Sequence, residues 1–113
     1  MYEGYWKNDK KEGLGIYYEG MIKKYEGNWK NDKRDGNGSQ FWDNGIKKYK
    51  GGWKNDKKEG LGQEFYGNGN KKYDGAWKND KKNGQGRSYF VNGQMDYEGN
   101  WLADNKNSSS RIR

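Results

Sequence analysis

Residues 49–72 read YKGGWKNDKKEGLGQEFYGNGNKK, and the plan of that stretch recurs on both sides of it. A Tyr, a Gly two residues on, a Trp four on, a polar turn and then Gly-x-Gly start from Tyr2, Tyr25, Tyr49 and Tyr73, and a half-unit starts from Tyr97. The spacings are 23, 24, 24 and 24 residues. A period of this length means stacked supersecondary units, each of which buries surface against its neighbours instead of in one globular core. Five of the six tryptophans, Trp6, Trp29, Trp53, Trp77 and Trp101, hold the same place in the unit.

With 113 residues the chain has room for one domain. Its mean hydropathy of -1.68 and 35% charged residues would by themselves suggest disorder. Against that stand the 17% aromatic residues, set at a fixed period that a disordered tail would not need. There is no Cys, His or Pro, which removes disulfides, thiolate nucleophiles, the usual zinc sites and the commonest general base. No apolar run approaches membrane-spanning length and Met1 leads straight into the first unit, so a cytoplasmic location is expected. The formal net charge of +7 suits an anionic partner or simply a soluble surface that blunts sheet edges.

Each unit reads as a β-hairpin. Tyr25, Gly27 and Trp29 share one parity and Glu26, Asn28 and Lys30 the other, the period of a half-buried strand. Asn44-Gly45, Asn68-Gly69 and Asn92-Gly93 are strong signals for two-residue type I′ turns, in which both central residues take positive φ. Two-residue loops there set Trp42 opposite Lys47, Gln40 opposite Tyr49, Gly38 opposite Gly51 and Gly36 opposite Trp53. A four-residue loop over Asn31 to Arg34 sets Trp29 opposite Gly36, Gly27 opposite Gly38 and Tyr25 opposite Gln40. The two registers agree. They predict one row that alternates Trp with Gly and a second row, Gly4 to Gly99, of glycine in every strand. Such a line of missing side chains is a furrow into which rings can lean, and it predicts curvature.

On the opposite parity, Lys24, Phe41, Lys48, Phe65, Lys72 and Tyr89 form a row alternating cation and ring. The same register sets Lys7, Lys30 and Lys54 opposite Glu12, Asp35 and Glu59 as cross-strand ion pairs, and leaves Lys78 opposite Asn83. The first unit is one residue shorter, which a three-residue loop of Gly20, Met21 and Ile22 between Glu19 and Lys23 absorbs. The expected architecture is all-β: a single-layer, curved antiparallel meander of β-hairpin repeats, about nine strands, over residues 1–102. Residues 103–113, ADNKNSSSRIR, read as a disordered polar tail. The open strands at both ends invite pairing with a second copy.

The segment YEGNWKNDKRDGNG at Tyr25 to Gly38, with its copies YEGYWKNDKKEGLG, YKGGWKNDKKEGLG and YDGAWKNDKKNGQG, resembles the MORN repeat, whose core is Tyr-x-Gly-x-Trp followed by Gly-x-Gly. The endings FWDNG, FYGNG and YFVNG are similar to a bacterial variant of it. The resemblance covers residues 2 to about 101. It implies a MORN-type solenoid that serves as a scaffold, holds partner helices or peptides in a groove, associates with cytoskeletal or membrane structures and often sits beside a catalytic domain such as a lipid kinase.

Rival chemistries fare worse on the residues. A choline-binding repeat needs adjacent aromatic pairs, whereas here the repeated Trp is flanked by Gly. The Gly-x-Gly runs lack the remainder of a phosphate loop and a helix to follow it. The carboxylates of the Asn-Asp turns are crowded by lysines and have no calcium-loop spacing, and Asp32, Asp56 and Asp80 have no apolar surroundings to tune them for catalysis. No enzyme activity, cofactor or metal is therefore expected. The first functional reading is a scaffold binding a protein helix or peptide in an aromatic groove made by Tyr25, Trp29, Tyr49, Trp53, Tyr73, Trp77, Tyr97 and Trp101. The alternative is electrostatic association with an anionic phospholipid membrane through Lys23, Lys24, Lys47, Lys48, Lys71 and Lys72. A regulatory fragment of a larger enzyme, such as a lipid kinase, is a distant third, and nucleic acid is not an expected partner.

Overall fold

The structure is a computed structural model that describes residues 1–107. Ten antiparallel strands form one sheet in strict chain order, an open meander that does not close into a barrel. They are β1 (Tyr2–Lys7), β2 (Lys10–Glu19), β3 (Ile22–Lys30), β4 (Lys33–Phe41), β5 (Lys47–Lys54), β6 (Lys57–Phe65), β7 (Lys71–Lys78), β8 (Lys81–Tyr89), β9 (Met95–Leu102) and β10 (Asn105–Lys106). The sheet measures 55 × 27 × 14 Å, the proportions of a ribbon with no second layer.

The glycine row forms as the spacing predicts. Gly4 pairs Gly15, and the line continues unbroken through Gly27, Gly38, Gly51, Gly62, Gly75 and Gly86 to Gly99. The turns that produce this register are the reverse of those expected. Asn-Asp is the tight, two-residue turn: Asn31 and Asp32 have φ of 50° and 69°, and Lys30 pairs Lys33 across them. Asn8-Asp9, Asn55-Asp56, Asn79-Asp80 and Ala103-Asp104 repeat that conformation, which short polar side chains tolerate best.

Asn-Gly instead closes a three-residue loop. Trp42 N donates to Ile46 O at 2.8 Å, Gly45 N donates to Trp42 O at 3.0 Å, and Gly45 has a positive φ of 89° while Asn44 does not. Phe41, not Trp42, therefore faces Lys47. A bulge at Lys48 then restores the Gln40–Tyr49 pairing, so the longer loop and the bulge cancel.

On the other side of each unit the compensating irregularity is larger. Gly27 pairs Gly38 but Trp29 pairs Arg34, which leaves Asp35, Gly36 and Asn37 opposite Asn28 alone. Gly36 has a φ of 105° there, as a bulge of this kind requires. Trp29, Trp53, Trp77 and Trp101 consequently have glycine across only one flank: Gly36 faces Trp53, for example, but Trp53 faces Lys58 on its other side.

The ion pairs expected from Lys7, Lys30 and Lys54 to Glu12, Asp35 and Glu59 do not form. Those lysines face Lys10, Lys33 and Lys57, and the acids reach the next unit's turn instead. In unit 1 the turn is also tighter than expected, two residues over Gly20-Met21 with Glu19 opposite Ile22 and a bulge beside Tyr18. Ala103 to Lys106, read as the start of a polar tail, form a turn and β10. Residues 108–113, the remainder of the expected disordered tail, lie outside the described residues.

Candidate functional site

The core is a file of rings on one face. Tyr25, Trp29, Tyr49, Trp53, Tyr73, Trp77, Tyr97 and Trp101, the eight residues expected to form a binding groove, are all buried, with Tyr49 and Tyr73 at 0% exposure. Tyr25, Tyr49 and Tyr73 each lie edge-to-face between two tryptophans, their own and that of the following unit. Tyr25 stands 5.1 Å from Trp29 and 5.5 Å from Trp53 between ring centroids, and Tyr49 and Tyr73 repeat the pattern. Contacts of this geometry contribute about 0.5–1.5 kcal/mol each beyond burial.

The furrow seats tyrosine, not tryptophan. A Cβ on Gly38 would come 2.0 Å from the Tyr25 hydroxyl oxygen, and Gly62 and Gly86 stand in the same relation to Tyr49 and Tyr73. The seated hydroxyl donates to the carbonyl just before its own Trp: Tyr25 to Asn28 O, Tyr49 to Gly52 O and Tyr73 to Ala76 O, each at 2.9 Å. The four buried indole N–H groups reach back one unit, Trp29 to Gly15 O, Trp53 to Gly38 O, Trp77 to Gly62 O and Trp101 to Gly86 O. Burial pushes the Tyr25 and Tyr49 hydroxyls well above the ordinary tyrosine range and Tyr73 to about 12.

A row of cations covers the rings. Lys11 lies over Tyr2, Tyr17 and Trp29; Arg34 over Tyr25 and Trp53; Lys58 over Tyr49 and Trp77; Lys82 over Tyr73 and Trp101; and Lys106 over Tyr97. These residues, absent from the expected site, face Trp because the tight Asn-Asp turn brings them there. Their ammonium and guanidinium groups, not the indoles, are what a partner on this face would meet first.

A second ladder fixes that row. Asp32, Asp56, Asp80 and Asp104 each accept a 2.8 Å bond at Oδ1 from the backbone N–H of Lys11, Arg34, Lys58 and Lys82, one unit back. The same aspartates donate their own N–H to the carbonyls of those residues. Glu12, Asp35 and Glu59 accept from the N–H of Asn31, Asn55 and Asn79, and Asn83 does the same for Ala103. The recurrence of Asp as the second turn residue, with a cation two places on, was the available signal for this ladder.

The expected anionic-surface lysines divide. Lys23 pairs Glu26 and lies over Phe41, Lys24 bonds Asp43 at 2.6 Å, and Lys71 pairs Asp74 and lies over Tyr89. Lys24 in turn holds the Asp43 carboxyl below the usual range. Lys48 and Lys72 lie over Trp42 and Tyr66, and they and the exposed Lys47 have no carboxylate partner among the described residues. The expected row alternating Lys24, Phe41, Lys48, Phe65, Lys72 and Tyr89 is thus replaced by pairs that the bulges and three-residue loops select.

On the ring-bearing face, units 1 and 2 enclose a depression of about 410 Å³ floored by Tyr25 and Trp29 and walled by Lys11, Arg34, Gln40 and Lys48. No helix among the described residues is long and apolar enough to cross a membrane, and no group of three or more potential metal-ligating His, Cys, Asp or Glu occurs among them. Compared with known proteins, the chain matches the family model of the MORN repeat four times, over residues 2–20, 25–47, 49–71 and 73–95. No curated protein matches it.

Proposed function

We propose, for a chain that belongs to the MORN-repeat family, that it acts as a non-catalytic scaffold whose ring-bearing face holds a helix or an extended segment of a partner protein. Modules of this family serve in interaction and membrane association and are typically non-catalytic. The observation that carries the finer reading is the depression over units 1 and 2, where an aromatic floor meets a wall of four cations and three carboxylates in a concave space. The buried rings supply its shape, and Lys11, Arg34 and Lys48 supply the polar contacts.

Burial also changes how the reading is tested. Truncating Trp53 would remove a ring that is 4% exposed and touches two tyrosines, so it would unfold the array before it reported on binding. Peptides selected from a random library against the whole chain are the better probe. They should lose affinity at least tenfold with Lys11→Ser plus Lys48→Ser and keep it with Leu14→Ser plus Leu61→Ser, exposed positions on the opposite face. The reverse pattern would refute the reading.

A second reading is association with an anionic membrane, favoured by the edge of the sheet that carries the Asn-Asp turns. Lys7 and Lys10, Lys30 and Lys33, Lys54 and Lys57, and Lys78 and Lys81 stand opposed there in like-charge pairs, an arrangement an anionic surface would relieve. Sedimentation with phosphatidylserine vesicles that persists at physiological salt favours this reading. Sedimentation that vanishes between low and physiological ionic strength rules it out.

A further inference from the structure

Units 2 and 3 differ at one place on the ring-bearing face. In unit 3 the Glu64 carboxylate lies 3.8 Å from the Lys58 ammonium, with both side chains only 15% exposed. Unit 2 carries Arg34 and Gln40 in those two positions. Arg34 covers the equivalent rings but pairs with the next turn's aspartate: its guanidinium donates to Asp56 Oδ1 and to Asp56 O, both at 3.1 Å, and lies 4.3 Å from the Trp53 ring centroid. Gln40 is left uncharged at the wall of the depression, with its Oε1 buried and without a hydrogen-bond partner.

The charges around that depression are unevenly satisfied. Asp32 accepts from Lys11 N, Asp56 is held by Arg34, and Glu19 stands 4.0 Å from Lys24. Each carboxylate thus has a donor or a cation beside it. Lys11 and Lys48 have rings beneath them, at 5.2 Å from Trp29 and 4.7 Å from Trp42, but no carboxylate partner among the described residues.

We infer that this depression takes the carboxylate of an Asp or Glu side chain from the partner protein, held between Lys11, Lys48 and the Gln40 amide. The incoming acid takes the side of the sheet that the Glu64 carboxylate takes in unit 3, but with Lys11 and Lys48 as its cations, because Arg34 is already held by Asp56. The Gln40 oxygen is the buried atom, which leaves the amide N–H group as the side that can donate to the incoming acid. The inference rests on the peptide-binding reading above and adds to it a place and a chemistry: the partner segment is acidic where it crosses units 1 and 2.

The test is a titration of the isotope-labelled full chain with an acetylated and amidated penta-glutamate peptide, followed through the Gln40 side-chain amide and Trp29 indole signals. Penta-glutamine and inorganic phosphate are the controls. Penta-glutamate should shift both signals and penta-glutamine neither. Gln40→Glu, which supplies the acid internally, should weaken penta-glutamate binding at least tenfold, and so should Lys48→Ser, which leaves the core untouched. Should Gln40→Glu fail to fold, Lys48→Ser decides alone. Undiminished binding in a folded variant of either kind overturns the inference while the selected-peptide experiment still stands. Phosphate that matches penta-glutamate also overturns it and assigns the site to a phosphate headgroup. Selected peptides that bind while penta-glutamate does not sink the acid site, and failure of both peptide experiments removes the broader reading as well.

Discussion

Gly60, Gly62 and Gly67 lie close together in unit 3 and differ in what an added methyl group would meet. A Cβ on Gly62 would come 2.1 Å from the Tyr49 hydroxyl oxygen and 2.5 Å from Cζ of the same ring. The ring cannot retreat, because it stands 5.1 Å from Trp53 and 5.5 Å from Trp77 between centroids and its hydroxyl donates to Gly52 O. Gly62→Ala therefore unseats Tyr49. The expected cost is about 4–5 kcal/mol, from about 1 for the hydroxyl bond, about 1 for each ring contact and about 1–2 for apolar surface returned to water. Gly60 has open space around it but a φ of +82°, so Gly60→Ala should cost about 1 kcal/mol of backbone strain. Gly67 has open space and no such φ, so Gly67→Ala should be neutral or stabilise by about 0.5 kcal/mol through the unfolded chain. Urea unfolding followed by tryptophan fluorescence measures the three. Indole proton exchange at Trp53 and Trp77 checks whether unit 3 opens ahead of its neighbours, as an array of repeats permits. A Gly62→Ala cost within about 1 kcal/mol of the Gly60→Ala cost, less than one ring contact plus the hydroxyl bond, would refute the seating of tyrosine in the furrow.

Alkali should unfold the chain in a defined window. Tyr25, Tyr49 and Tyr73 ionise less readily folded than unfolded, so their contribution is complete below the unfolded value near pH 10 and is lost as pH rises toward and past the Tyr73 value of about 12. Ionisation of all ten tyrosines with near-ultraviolet circular dichroism intact would contradict this. Lys57→Glu converts the opposed Lys54–Lys57 pair into an attractive one and should stabilise by about 0.5 kcal/mol, a gain that fades in high salt; an unchanged urea midpoint would count against the tight turn. Asp80 has a φ of 70° and accepts from Lys58 N, so Asp80→Ala should cost about 2–3 kcal/mol and Asp80→Gly about 1 kcal/mol less. Equal costs would show that the left-handed backbone at this turn carries no strain.

Much of the architecture was legible without coordinates because its causes are periodic. The spacing of Tyr, Gly and Trp requires hairpins in chain order, and parity places the rings on one face and aligns the glycines from Gly4 to Gly99. The assignment of turns was not legible. Asn-Gly is the stronger dipeptide signal for a tight turn, yet the tight turn is Asn-Asp. The reason lies outside the dipeptide: Asp32, Asp56, Asp80 and Asp104 stabilise that conformation through paired bonds to a strand one unit back. The expected loops misplace Trp29 against Gly36, and the register survived only because each error was cancelled by a bulge.

The amino-acid sequence alone thus determined that the chain is a meander of repeated hairpins with a glycine furrow and aromatic files, since alternation and period act locally and identically in each unit. Only the tertiary structure decided which ring lies in the furrow and which cation lies on the ring, because both follow from bonds between hairpins about two dozen residues apart. That decision turns the eight rings into the core and sets Lys11, Arg34, Lys58, Lys82 and Lys106 above them. A sheet without a second layer buries its tyrosines by laying them along its own backbone, so what faces outward is whatever the turns set above them.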